Sequence, residues 1–304
     1  MLIFCNLQAL IMAFKSGFVN IIGKPNAGKS TLMNALIGER LSIITPKAQT
    51  TRHRIIGILN QAEAQIIFSD TPGIIKNPAY KLQESMNSFI EGTFEDADVF
   101  LYVSEIKDAP RKEDVPEKVL ESETPFLLAL NKIEQSNQQE LEQKVAAWKA
   151  IVPKAIIVPV SAEQQFNLDQ LLKQILHFLP ESKPYFDLDA LTDRNERFFV
   201  TEIIREKILL NYQKEIPYAS EVVVEDFKEE SQINKIRATI YVMRESQKGI
   251  IIGHQGSIIK KVSTEARLDM ERFLGKKVYL ELQVKVSKDW RDSEKQLKRF
   301  GYLH

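Results

Sequence analysis

At 304 residues, with 44% apolar and 27% charged side chains, the chain has the composition of an ordinary folded protein and the length of two domains. Its single cysteine, Cys5, excludes an internal disulfide and suits a reducing compartment, and no apolar run reaches the about 18 residues that a membrane-spanning helix requires. The net charge of zero hides an asymmetry: residues 1–190 carry 19 Lys/Arg against 23 Asp/Glu, whereas residues 231–304 carry 16 against 8, a surplus that reads as a solvated basic face or, more sharply, as a surface for a polyanion partner.

Residues 1–13 (MLIFCNLQALIMA) are apolar but lack a basic leading region and a cleavage site, which argues against a signal peptide. They read as an N-terminal extension, with Met12 as an alternative start. Next, Phe18–Ile22 is an apolar strand that runs into Gly23-Lys24-Pro25-Asn26-Ala27-Gly28-Lys29-Ser30-Thr31, which contains the full G-x-x-x-x-G-K-[ST] loop. Gly23 and Gly28 let the backbone curl so that successive N–H groups face phosphate oxygens. Lys29 reaches the β and γ phosphates, and the Ser30 hydroxyl ligates Mg²⁺. The helix expected from Ser30 to Leu36 aims its positive end at the same anion.

Ile44–Arg54 (ITPKAQTTRHR) is polar and aperiodic. A threonine here can reach Mg²⁺ and the γ-phosphate and release them after hydrolysis; Thr51, directly before Arg52, is favoured over Thr50. Strands are expected at Ile55–Leu59 and Gln65–Ser69. The second ends in Asp70-Thr71-Pro72-Gly73, where Asp70 holds Mg²⁺ through water and the Gly73 N–H senses the γ-phosphate.

Strands at Val99–Val103, Phe126–Leu130 and Ile156–Val160 alternate with helices around Tyr80–Thr93, Gln138–Ala150 and Leu168–Leu179. The alternation predicts an α/β domain with a mostly parallel sheet and helices on both faces, over residues 14–180. Asn131-Lys132-Ile133-Glu134 resembles the Asn-Lys-x-Asp string by which GTPases select guanine. Its carboxylate accepts from guanine N1–H and N2–H, and here it is Glu134, one methylene longer. Ser161-Ala162 fits a final guanine-contacting turn.

Pro180–Asp189 has two prolines and reads as linker, giving a boundary at residues 181–193. Residues 194–304 then predict a smaller α+β domain in the order helix, two strands, two helices and a strand. They begin with a helix over Asn195–Tyr212 whose apolar face holds Ile203, Ile204, Ile208 and Leu209. Strands follow at Ser220–Phe227 and Lys235–Met243. Ile250–Lys260 (IIIGHQGSIIK) carries the apolar–G-x-x-G–apolar pattern of a KH domain. Gly253 and Gly256 allow the loop, with His254 and Gln255, to press against a sugar–phosphate strand, with N–H groups expected from both flanking helices. Lys248, Lys260, Lys261 and Arg267 supply positive charge. His254 has neither Cys nor a second His near it in sequence and reads as a polar loop residue rather than a metal ligand. Trp290 and Phe300, in the tail after a last strand at Lys277–Lys285, read as core docking in preference to base stacking.

These residues, in this order, resemble the Era family of ribosome-assembly GTPases over about residues 14 to 303. The most family-specific strings are Lys47–Arg54 (KAQTTRHR), Asp193–Lys207 (DRNERFFVTEIIREK) and Gly249–Lys260 (GIIIGHQGSIIK). The resemblance implies a type II KH domain and a GTP-hydrolysing switch that uses GTP/GDP and Mg²⁺. It implies binding of the small-subunit ribosomal RNA near its 3′ end and help in 30S maturation, with Lys29, Thr51 and Gly73 as catalytic residues. It further suggests a cytoplasmic protein with a peripheral membrane fraction; no DNA partner is expected, and a monomer is the default. Ile74 stands where many small GTPases place a water-orienting Gln, so slow intrinsic turnover is expected. Asn26 resembles the asparagine of relatives in which K⁺ fills the role of an arginine finger. Two other classes remain: a metabolic phosphate-loop kinase or ATPase, against which Asn131-Lys132 speaks, and an RNA-binding protein with a weakly selective or inactive nucleotide site, against which Lys29, Ser30 and Asp70 speak.

Overall fold

The computed structural model describes residues 14–303; the N-terminal extension, with Cys5 and Met12, lies outside the described residues. The chain divides into two compact units. The first is made of the described residues of Met1–Glu39, with Ile55–Thr71 and Gly92–Asp193; the second of Arg40–Arg54, Pro72–Glu91 and Arg194 onward. Two internal segments, 40–54 and 72–91, therefore belong with the C-terminal part of the chain.

The first unit holds β1 (Lys15–Gly23), α1 (Lys29–Ile37), β2 (Ile55–Gln61) and β3 (Ala64–Asp70), then, beyond α2 (Lys81–Thr93), β4 (Val99–Glu105), α3 (Glu117–Glu121), β5 (Phe126–Asn131), α4 (Gln138–Ile151), β6 (Ile156–Pro159) and α5 (Leu168–Phe178). The sheet order is β2-β3-β1-β4-β5-β6, with β2 antiparallel to β3 and every other pairing parallel. β3 is buried along its whole length, as are β4 up to its last residue and β5. Parallel strands covered on both faces read as continuous apolar runs for that reason. Successive connections change direction between β1 and β4, the switch point where open α/β sheets leave a crevice at the carboxyl ends of their strands. The strand ends Gly23, Asp70 and Asn131 all lie on that edge.

Residues 181–193 form neither helix nor strand, in keeping with their composition, but they are tied down. Gln65 Oε1 accepts from the Tyr185 and Phe186 N–H groups at 2.8 and 2.9 Å, and its Nε2 donates to the Phe186 carbonyl. The Ile58 N–H donates to the Leu191 carbonyl at 2.8 Å. The segment is a strap along the outer strand β2, where it occupies backbone groups that an open edge would present to other chains.

The second unit contains α6 (Glu196–Asn211), α7 (Ile216–Ala219), β7 (Glu221–Glu229), β8 (Ile233–Val242), α8 (Glu245–Ile252), α9 (Ser257–Leu274), β9 (Lys277–Val286) and α10 (Glu294–Arg299). β8 is central, antiparallel to β7 and parallel to β9. Val200, Ile204 and Ile208 of α6 join Val262, Ala266 and Met270 of α9 over Ile236, Ala238 and Ile240 of β8 to make the core. A second cluster joins Leu82 and Met86 of α2 to Ala219, Met243, Trp290, Leu297 and Tyr302. Trp290 is fully buried and donates its indole N–H to the Ala219 carbonyl at 2.9 Å, so the tail is part of this core. None of the helices among the described residues is long and apolar enough to cross a membrane.

Candidate nucleotide site and nucleic-acid interface

The phosphate loop is shaped by close approach. Gly23 lies in register with Val103 of β4, and a Cβ there would sit 2.3 Å from the Val103 carbonyl oxygen. Gly28 has φ +95°, and a Cβ on it would meet Asn131 Nδ2 at 2.3 Å. Asn26, at φ 64°, uses the tolerance of asparagine for the left-handed region. α1 starts after Gly28 with no side-chain cap and no acidic residue in its first turn, so the positive end of its dipole has no carboxylate of that turn beside it.

Inside the loop, Lys29 Nζ donates to the Gly23 and Lys24 carbonyls at 3.1 and 2.9 Å. Burial pulls its pKa down from 10.5 to about 8, against the opposing pull of Asp70. Ser30 Oγ donates to Asp70 Oδ2 at 2.6 Å. A hydroxyl and a carboxylate held together at a phosphate loop form a hard oxygen donor set of the kind Mg²⁺ takes. Thr71 Oγ1 donates to the Ile21 carbonyl at 2.9 Å, which fixes the turn that follows Asp70.

Asn131 works as a bracket. Its Nδ2 donates to the Ala27 carbonyl at 3.0 Å, while its Oδ1 accepts from the Ala162 N–H at 3.0 Å, so one amide ties the phosphate loop to the Ser161-Ala162 turn. Lys132, at φ 63°, donates to the Asn26 carbonyl at 2.9 Å and pairs with Glu105 at 2.8 Å. Lys24 pairs with Asp114 at 2.7 Å. Both Glu134 carboxylate oxygens are buried and accept no hydrogen bond. A buried carboxylate with two empty acceptor positions fits a ligand that brings two donors, as guanine N1–H and N2–H do. The bracing roles of Asn131 and Lys132, and the ion-pair partners Glu105 of Lys132 and Asp114 of Lys24, have no signature in the sequence beyond position after a strand.

Thr51, Pro72 and Gly73 belong to the second unit, and Thr51 is buried there with Arg52. The Arg52 guanidinium donates to the Pro217 and Ser220 carbonyls, each at 3.0 Å, and pairs with Glu221 at 2.9 Å. Glu221 also accepts from Tyr302 Oη at 2.8 Å. His53 stacks on the Tyr302 ring at 4.4 Å, and its burial lowers its pKa to about 4. Sequence reading assigned α6 by its apolar positions alone. It missed Glu202, Arg205, Glu206 and Lys207, which are also buried; the available signal was charge interleaved with apolar residues around nearly the whole helix.

At the opposite end of the chain, α8 and α9 flank the Gly253–Gly256 loop. Gly253 (φ +72°) would place a Cβ 2.6 Å from the Ile258 side chain, and Gly256 (φ +75°) opens on free space. His254, Gln255, Lys260 and Lys261 are exposed, and Lys248 is half-buried. One expectation needs correction. Only α9 turns its N–H groups toward the loop; α8 arrives with its C-terminal end, where the Gly253 N–H closes on the Gly249 carbonyl at 2.9 Å. A helix presents orphan donors at one end alone. Arg267 is engaged in an ion pair with Glu271 at 2.8 Å, and Lys261 pairs with Glu265 at 3.7 Å. Ile250 is an exposed apolar residue beside the loop.

Comparison with known proteins places these two sites in context. Residues 18–132 match a family model described as a 50S ribosome-binding GTPase, and residues 215–291 match a KH domain. GTPase Era of Syntrophus aciditrophicus is 48% identical over 95% of each chain. A variant of Aquifex aeolicus Era bound to GDP·AlF4⁻ superposes with a TM-score of 0.91 at 38% identity, covering 96% of this chain and 100% of that one. An Era chain in complex with MgGDPNP and nucleotides 1506–1542 of 16S ribosomal RNA gives the same values. With near-complete coverage at this identity, and with a phosphate loop and a G-x-x-G loop both built as described, the chain belongs to the Era family of GTPases.

Proposed function

We propose that this GTPase is a switch acting on ribosomal RNA: it binds the small-subunit RNA near its 3′ end and assists maturation of the 30S subunit. The observation that carries the reading is one chain with a Mg²⁺-ready phosphate loop and a G-x-x-G loop, similar along its length to an Era chain solved with both MgGDPNP and the 16S 3′ region. The 50S description attaches to residues 18–132 alone, whereas the choice of RNA rests with the KH part. That favours the small subunit.

In this reading residues 14–180 are the GTPase domain, 181–193 the connection and 194–304 the RNA-binding domain. Gly23 to Thr31 cradle the phosphates, with Lys29 on the β and γ groups. Ser30, Thr51 and Asp70 hold Mg²⁺, which neutralises phosphate charge when bound. The loop Asp70–Gly73 follows the γ-phosphate through the Gly73 N–H. Glu134 accepts from guanine while Asn131, Lys132, Ser161 and Ala162 shape its pocket. Ile74 neither orients water nor accepts a proton, so intrinsic hydrolysis is slow, and Asn26 makes K⁺ the cation to test; equal turnover in Na⁺ and K⁺ buffers would end that idea. Lys248, Gly253, His254, Gln255, Gly256, Lys260 and Lys261 meet RNA. A cytoplasmic location follows from an RNA partner; a peripheral membrane fraction has only the family resemblance behind it.

Competition against labelled GDPNP, paired with retention of a 3′-terminal 16S oligonucleotide, tests the reading. Displacement by GTP over ATP, and retention of that oligonucleotide over a scrambled one, is expected. Preference for ATP, or equal retention of both oligonucleotides, contradicts it. If Lys29→Ala left hydrolysis and RNA-dependent function unchanged, a passive RNA-binding protein would be the better description.

A further inference from the structure

Within the first unit, the phosphate loop is gripped from outside at three points. Asn131 Nδ2 donates to the Ala27 carbonyl at 3.0 Å and Lys132 to the Asn26 carbonyl at 2.9 Å, both from the string that closes β5. The third grip comes from elsewhere: the Lys24 ammonium pairs with Asp114 at 2.7 Å. Asp114 ends a short 3-10 turn, Lys112–Asp114, in the connection between β4 and α3. It is itself built in. Its side chain is 7% exposed, against 36% for that of Lys24. Its N–H donates to the Arg111 carbonyl at 3.3 Å, and its carbonyl accepts from Tyr102 Oη at 3.2 Å. Tyr102 is buried in β4, in register with Ile22 of β1, and its ring stands edge-on to Trp148 of α4 and Phe126 of β5. Burial, and then the charges of Asp114 and Asp108, hold the Tyr102 phenol above its ordinary range, so it remains a protonated donor.

A carboxylate buried to this degree is unfavourable unless paired, and an ion pair with a partly exposed lysine adds little to stability. An apolar side chain at position 114 would serve packing as well, so the reason for the pair lies at the loop. An ammonium has three donors. Lys29 Nζ directs two of them to the Gly23 and Lys24 carbonyls at 3.1 and 2.9 Å, and tetrahedral geometry then fixes where the third points. The two carbonyls are held by different means. Gly23 is the last residue of β1, paired with Val103. Lys24 lies one residue beyond the strand, and its side chain is held by Asp114 instead. The Lys24 carbonyl also accepts from the Ala27 N–H at 3.4 Å, so its orientation bears on the loop that follows.

We propose that Asp114 is a positioning residue for the phosphate loop: by holding the Lys24 side chain at the β4–α3 connection it sets the Lys24 carbonyl, and through that carbonyl the direction in which the Lys29 ammonium meets the β and γ phosphates. The proposal rests on the assignment of Lys29 to those phosphates made above. Its consequence is selective. GMP has no β-phosphate for Lys29 to meet, so Asp114 bears on the binding of GDP and GDPNP and leaves that of GMP alone.

The test uses the full chain with Asp114→Asn, which keeps the shape and removes the charge, with Lys24→Met, and with the two together. Affinities for GDPNP, GDP and GMP are measured by competition against labelled GDP. Each single variant is expected to bind GDPNP and GDP about tenfold more weakly, a charge-assisted contact being misdirected rather than lost, with GMP within about twofold of the parent. The double variant is expected to lose about the same tenfold, because the two side chains act through one pair. A roughly hundredfold loss in the double variant, the mark of two independent effects, would overturn the proposal. So would unchanged GDPNP affinity in the single variants. A merely structural role would loosen the loop as a whole and lower GMP affinity in step with GDPNP, and that pattern would overturn it too. If Asp114→Asn does not fold, the ratio of GDPNP to GMP affinity in Lys24→Met decides by itself. A parent chain that binds GMP as tightly as GDPNP would overturn the assignment of Lys29 and the proposal with it, whereas the other failures leave that assignment standing.

Discussion

Two glycine loops in this chain solve related problems in different ways. α1 and α9 both begin after a left-handed glycine, Gly28 and Gly256, with no side-chain cap and no acidic residue in the first turn. By contrast α4 and α6 are capped by Asn137 and Asn195 and carry a glutamate in the first turn. Of these four ends, the two without a cap are the ones assigned to anions, where a capping carboxylate would compete with phosphate. The surroundings differ. The first loop is braced by Asn131, Lys132 and the Ser30–Asp70 bond, with Gly23 and Gly28 each closed in at 2.3 Å. The second has exposed residues at its tip and open space beside Gly256. A rigid cradle suits one triphosphate of fixed shape; an open loop suits a polymer backbone that must be traced along its length.

Substitutions should break the two loops to different degrees. Gly23→Ala puts a Cβ into the Val103 carbonyl, a backbone overlap that no rotamer relieves; a loss of about 3 kcal/mol or more in stability and no measurable GDP binding are expected, read by thermal melting and titration. Glu134→Gln replaces one acceptor with a donor and should weaken GTP binding roughly 100-fold, about 3 kcal/mol for charge-assisted hydrogen bonds. It should leave melting unchanged, since Glu134 accepts no hydrogen bond from the protein. Glu134→Asp should keep GTP selectivity over ATP.

The pH dependence of the braced loop has a definite sign. Free Lys29 titrates at about 8, and phosphate favours its charged form, so binding takes up a proton wherever the free lysine is neutral. GDPNP affinity should therefore hold below pH 8 and fall about tenfold from pH 7 to pH 9, as titration calorimetry in buffers of different ionisation heat would show. The smallest effect belongs to the open loop. Gly256→Ala meets no neighbour and adds only the strain of φ +75°, about 1 kcal/mol. RNA retention should fall a few-fold with GDP binding unchanged, whereas Gly253→Ala, pressed against Ile258, should do more.

The same contrast explains what could be read from sequence. Gly23, Gly28, Lys29 and Ser30 are legible because covalent spacing alone delivers their geometry, Asp70 because it closes an apolar strand forty residues on, and the strand alternation that carries them follows from continuous apolar runs. The G-x-x-G loop is legible for the same reason. What stayed hidden are contacts made at long sequence separation: Asn131 bracing Ala27, Gln65 holding the strap at Tyr185, and Arg205 gripping Thr50. α6 was read by its isoleucines because apolar periodicity is the usual marker of burial. Its buried charges obey pairing instead, which leaves no period to detect. The end that α8 turns to the loop is not legible either, because a flanking helix offers donors only where its N-terminus arrives, as α9 does and α8 does not.

The central claim is that one chain couples a guanine nucleotide to the end of the small-subunit RNA. Crosslinking of the GTP-bound protein to cellular RNA, with the sites mapped, tests it most directly. The account predicts crosslinks concentrated at the 3′ end of 16S ribosomal RNA and reduced by Gly253→Ala. Crosslinks scattered over unrelated messages, with none at that end, would contradict it.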